Sequence, residues 1–111
     1  MATSLSGLGR QNAYEAVAAS DSDEEIIAAQ AGKKIRVHSV IINHGDTTAS
    51  SVTFGSGGTV CYVPLKGPAN GGFVMGDNPS GWFETVAGES LTVDTGAGST
   101  TSIAVTYSLV S

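Results

Sequence analysis

The stretch from Lys33 to Asn43, read KKIRVHSVIIN, constrains this chain more than any other. β-branched residues dominate it and apolar side chains alternate with charged ones, which is the period of two of a half-buried strand. In an extended backbone Ile35, Val37, Ser39 and Ile41 share one face, and Lys34, Arg36 and His38 share the other. The pattern predicts a central strand with the first of these faces in the core. Toward its end Val40, Ile41 and Ile42 run together, so the second face, with Val40 and Ile42, also needs cover from a further sheet or a neighbouring subunit.

The rest of the chain supplies short strands and turns. Gly, Ser, Thr and Ala make up nearly half of the 111 residues while Leu, Lys and Glu are scarce, a balance that favours strands over helices. The length suits one domain with a core of its own, read as residues 12–111 behind a flexible N-terminal arm, 1–11. That arm, whose only charge is Arg10, reads first as a frayed terminus; the alternative is that Leu5 and Leu8 anchor it on a partner by adding a strand at a sheet edge. Strands are expected at 12–20, 25–29, 33–43, 51–54, 59–65, 72–75, 82–86, 90–93 and 102–110, with Gly55-Ser56-Gly57-Gly58 as a hairpin loop and Asp77-Asn78-Pro79-Ser80-Gly81 as the densest turn signal. Eight or nine short strands about ten residues apart predict an all-β antiparallel β-sandwich, jelly-roll-like. Ile103, Val105, Tyr107 and Leu109 share a face, expected to meet Ile35, Val37 and Ile41 across the core.

Charge and cysteine content exclude several functions. Five basic residues against ten acidic ones give a net charge of -5 and no basic stripe, so no nucleic-acid partner is expected. Cys61 stands alone, which rules out an internal disulfide and a thiolate zinc cage. No apolar run approaches the ~20 residues of a membrane helix, and the first residues lack the apolar middle of a signal peptide. The expectation is synthesis in a cytoplasm, with no membrane partner.

Candidate chemistry is thin. Asp21 to Glu25 holds four carboxylates but lacks the turn glycine of a calcium loop, and reads as a solvated acidic turn. His44 and Asp46 lie close together, yet no Gly-x-Ser-x-Gly elbow accompanies them. No enzyme, cofactor or metal is expected. His38, on the charged face of the central strand, reads as a surface or interface histidine, and Cys61 as a small buried apolar residue. Adjacent Trp82 and Phe83 must face opposite sides of a strand, so one of them needs cover outside the main core. A subunit contact and a sugar are the two covers that suit an aromatic ring, and the subunit contact is the preferred reading.

The run Gly76 to Thr85, read GDNPSGWFET, followed by Ala87 to Leu91, resembles a pattern of small structural proteins of tailed bacteriophages. Those proteins similarly carry a segment like Ala31 to Val37 preceded by an acidic and apolar strand like Asp23 to Ala29. They are capsid decoration, or cement, proteins. The resemblance implies a virion protein, made in the bacterial cytoplasm, that binds the major capsid protein on the outside of the head and bridges neighbouring capsomers. It also implies self-association, as a homotrimer at threefold positions of the shell. The contacts would then involve Leu5, Leu8, Arg10, His38, Val40, Ile42, Trp82 and Phe83. The alternative expectation is a carbohydrate-binding or adhesion module of a phage fibre or tail.

Overall fold

Closely spaced turn residues cut the chain into short strands, and in the computed structural model these assemble as two antiparallel sheets. The structure describes residues 2–5 (backbone), 9–45, 50–96 and 100–111. Among them are β1 (Ala2–Leu5), β2 (Arg10–Val17), β3 (Glu24–Ile27), β4 (Lys34–His44), β5 (Ser50–Ser56) and β6 (Thr59–Val60). They continue with β7 (Leu65–Gly67), β8 (Gly72–Met75), β9 (Phe83–Glu84), β10 (Leu91–Thr95) and β11 (Thr101–Val110), and no helix occurs among the described residues.

The six-stranded sheet runs β1-β2-β11-β4-β8, with β9 also on β4, and the five-stranded sheet runs β3-β10-β5-β6, with β7 also on β5. Two of the strands are broken. β8 pairs with residues 40–43 of β4 and β9 with residues 36–37, so the pair lies along one edge of β4. β6 and β7 share an edge of β5 in the same way. Counting each broken pair once and setting β1 aside leaves eight strands. One sheet then has the order first-eighth-third-sixth and the other second-seventh-fourth-fifth, which is the jelly roll.

The β5–β6 connection is tighter than the sequence suggested. Gly55 and Ser56 pair with Val60 and Thr59, leaving Gly57-Gly58 as a two-residue turn. Both have positive φ, +56° and +95°, the geometry of a hairpin turn matched to strand twist. At the N-terminus, Ala2–Leu5 pairs antiparallel with β2 in its own sheet, and Arg10 and Gln11 are strand residues of β2. Leu8 lies outside the described residues.

The core fills the space between the sheets. Ile35, Val37, Val40 and Ile42 of β4 lie beside Ile103, Val105 and Tyr107 of β11 and face Val52, Phe54, Leu91, Val93 and Ile27 of the other sheet. β11 and β4 are therefore neighbours in one sheet, where the sequence suggested that they meet across the core. Phe83 is buried from the β9 side, with ring centroids 5.1 Å from Phe54 and 4.6 Å from Tyr62, and links the two sheets through aromatic contact.

Candidate interaction surface

A β-bulge decides which side chains of β4 are outside. Thr106 of β11 is opposite Ser39 while the next residue, Tyr107, is opposite Val37, so His38 is an extra residue with no partner in the ladder. An inserted residue reverses the in-out alternation beyond it. Ile35 and Val37 face the core as expected, but past the bulge Val40 and Ile42 take the inward positions, 0% and 2% exposed. Ile41 is turned out, at 54%. The expected placement of Val40 and Ile42 on the second face is thus corrected, and Ile41 is the apolar residue of β4 left exposed.

The loop after β8 covers the outer face at the bulge. Asn78 N–H donates to the His38 carbonyl and Trp82 N–H to the Val37 carbonyl. The His38 ring is buried beneath this loop, with Nδ1 2.8 Å from the Asn78 carbonyl oxygen and Nε2 2.8 Å from Ser108 Oγ. Nδ1 faces a carbonyl oxygen and must donate to it, and Nε2 meets the Ser108 hydroxyl, which can serve as either donor or acceptor. His38 is an internal tie and not the surface histidine that the charged face suggested. Arg10 reaches across from β2 to pair with Asp77, and Arg36 Nε donates to Glu84 Oε2 at 2.5 Å. Trp82 is 40% exposed, but its indole N–H donates to the Gly76 carbonyl at 2.8 Å and closes the loop on itself. Phe83 belongs to the core, which corrects its place among the expected contact residues.

Gly81 anchors this loop. Its φ of +86° suits glycine, and a Cβ there would lie 2.5 Å from Arg36 Cγ. Gly88 has φ of +82° with nothing within 4 Å of such a Cβ. Gly81→Ala is expected to cost ~2 to 3 kcal/mol and Gly88→Ala ~1 kcal/mol, because only the first adds a clash to the backbone strain. Urea midpoints of the two variants check the difference; equal losses would mean that the Arg36 contact yields freely.

Beyond the loop the outer face is open. Tyr14 of β2 is opposite Ala104 of β11, Ala104 is opposite Ile41 of β4, and Ile41 is opposite Val74 of β8. These four residues form one apolar row across four strands, with Tyr14 58% and Val74 71% exposed. The rows on either side contain Asn12, Thr106 and Ser39, and Ala16, Ser102, Asn43 and Gly72. No charged side chain stands in these three rows, in a chain with fifteen charged residues, ten of them acidic. Tyr14 Oη and Ser102 Oγ are 3.3 Å apart, which steadies the tyrosine ring over the sheet.

Other groups singled out in the sequence lie elsewhere. Asp46 is outside the described residues, and His44 is buried, with Nδ1 3.3 Å from Thr101 Oγ1 and Nε2 without a hydrogen-bond partner. Gly67 is packed against that ring so closely that a Cβ would come within 2.9 Å of Nε2. In the acidic turn, Asp94 Oδ1 accepts from Asp23 N–H, and a hydrogen bond with Asp21 together with its charge raises the Glu24 pKa. Among the described residues no three His, Cys, Asp or Glu side chains are grouped to hold a metal. Cys61 is half-buried, and burial raises its thiol pKa, so it is a weak nucleophile at neutral pH. A cavity of about 310 Å³ opens between β2 and β3, lined by Gln11, Ala13, Ile26, Ile27 and Tyr107 among others. Tyr107 Oη donates to Gln11 Oε1 at 2.8 Å there, and burial keeps that hydroxyl protonated.

The chain matches no family model, no curated protein and no solved structure. The functional reading therefore rests on the geometry above and on the sequence pattern.

Burial of His44 carries a pH prediction. Desolvation lowers its pKa from the ordinary 6.5. Below the unfolded value the open chain binds a proton that the folded chain refuses, so this contribution is fully present above about pH 6.5 and is lost as pH falls. The denaturation midpoint is expected to drop between about pH 7.5 and about pH 5.5, and to drop less in His44→Gln. An equal pH slope in both proteins would place the titration elsewhere.

Proposed function

We propose that the protein is a structural component of a tailed-bacteriophage virion, which binds the outside of the capsid and stabilises it by bridging neighbouring capsomers. The observation that carries this reading is the group of three uncharged rows on the outer face of the six-stranded sheet, with Tyr14, Ile41 and Val74 exposed in the middle one. An apolar row on rigid, hydrogen-bonded strands gains by burial against protein, and it needs no counter-charge. The jelly-roll order is in keeping with this, since viral capsid domains are among its users, although the same fold serves lectins and cupins. In this reading the partners are the major capsid protein and further copies of the chain itself. Many identical weak contacts held by a shell add up to strong attachment. Trp82, on which a carbohydrate-binding alternative leans, spends its indole N–H on its own loop.

The test is reconstitution on heads that lack the protein. Wild-type protein is expected to cosediment with heads and to raise the temperature at which they break open. Ile41→Glu, folded but charged on the outer face, is expected to do so much less. Wild-type protein that stays in the supernatant at all concentrations would contradict the proposal.

A further inference from the structure

We infer that the occupant of the outer face is a second copy of this chain, packed face to face about a twofold axis. The inference rests on the reading that this face is buried in an assembly, and it does not depend on the assembly being a phage head. Charge makes the selection. Each copy has a net charge of -5, so most surfaces of one molecule repel the same surfaces of another. The five-stranded sheet carries Glu24 and Glu25 on β3 and Asp94 on β10, with Asp21 and Asp23 beside them. Two copies meeting through that sheet would set carboxylates against carboxylates. The rows of Asn12, Tyr14, Ala16 and their partners on β11, β4 and β8 hold no charge, so here a copy meets itself without like-charge contact. A basic partner would find no carboxylate among these rows to pair with.

Symmetry agrees with this occupant. The three uncharged rows span four strands and about five residues along each, a patch on the order of 300 Å² at the usual strand spacings, so it forms the centre of a contact whose remaining area comes from the face around it. A flat face that meets itself does so isologously, each residue facing the patch that holds its own counterpart, and such a contact closes as a dimer. The trimer implied by the sequence resemblance rested on the threefold sites of a shell. A twofold pair bridges two capsomers equally well, one copy on each.

Sedimentation equilibrium over a wide concentration range tests the inference, with circular dichroism and urea midpoints to establish that each variant is folded. Wild-type protein is expected to dimerise, with association unchanged or strengthened by added salt, because salt screens only the repulsion between the acidic copies. Ile41→Glu is expected to raise the dissociation constant about 30-fold or more, as loss of a central anchor does. Val63→Glu, also at an exposed apolar position but between β6 and β7 on the other sheet, is expected to leave the dimer intact. A wild-type monomer throughout, a trimer, or a dimer indifferent to Ile41→Glu would overturn the inference. A monomer that nevertheless loses head binding through Ile41→Glu would assign the face to the capsid and refute the second copy alone. A dimer sensitive to Ile41→Glu that ignores heads would refute the capsid proposal alone.

Discussion

Ile42→Glu is expected to abolish the cooperative unfolding transition, while Ile41→Glu, one residue away, leaves it in place. Ile42 is 2% exposed, between Ile103 on β11 and Phe73 on β8. Truncating such a side chain to Ala costs ~2 to 5 kcal/mol, and an unpaired carboxylate at the same place adds several more. The total rivals the ~5 to 15 kcal/mol that holds a domain together. Ile41 points to solvent, so its replacement should change monomer stability by less than ~1 kcal/mol. Urea titrations of the two variants by tryptophan fluorescence measure the contrast. If Ile41→Glu unfolds the protein and Ile42→Glu does not, the bulge at His38 is misplaced.

Phe54→Ala is expected to cost ~3 to 5 kcal/mol, the usual loss when a fully buried aromatic ring is cut back. Phe54 is 0% exposed and touches Phe83, which in turn stacks on Tyr62, so its removal opens a cavity where β5 meets β9 across the sandwich. Phe54→Leu keeps most of the volume and should recover more than half of the loss. Equal effects of Ala and Leu would mean that the aromatic contact, and not the filled volume, dominates at this site.

Much of the fold could be read from the chain because strands and turns are local. β-branched runs, glycine pairs and the Asp-Asn-Pro-Ser-Gly turn placed most strands, and Gly72–Met75 was bounded correctly. What failed was phase. The run Val37-His38-Ser39-Val40 contains no glycine to mark a bulge, and the bulge arises only from pairing with Thr106 and Tyr107, distant in sequence. Strict alternation therefore turned Ile41 inward and Val40 and Ile42 outward, and it left His38 on a charged face that the loop in fact covers. Pairing also explains why β4 and β11 were set on opposite sides of the core: two apolar faces look alike whether they lie side by side or face each other.

The candidate surface was legible in part. The expected apolar second face named Val40 and Ile42, and the structure exposes Ile41 in their place, while Tyr14 alternates outward from Ala13 and Val17. That Tyr14, Ala104, Ile41 and Val74 fall in one row depends on four registers, none of which is written in any single segment.

Hydroxyl-radical footprinting of the protein, free at low concentration and then assembled, tests most directly whether the outer face of the six-stranded sheet is the interaction surface. Tyr14, Ile41 and Val74 are expected to react readily when free and to be protected together on assembly, while Val60, Val63 and Val86, also exposed but off this face, keep their reactivity. Unchanged labelling of Tyr14, Ile41 and Val74, with protection at the three valines, would contradict the account.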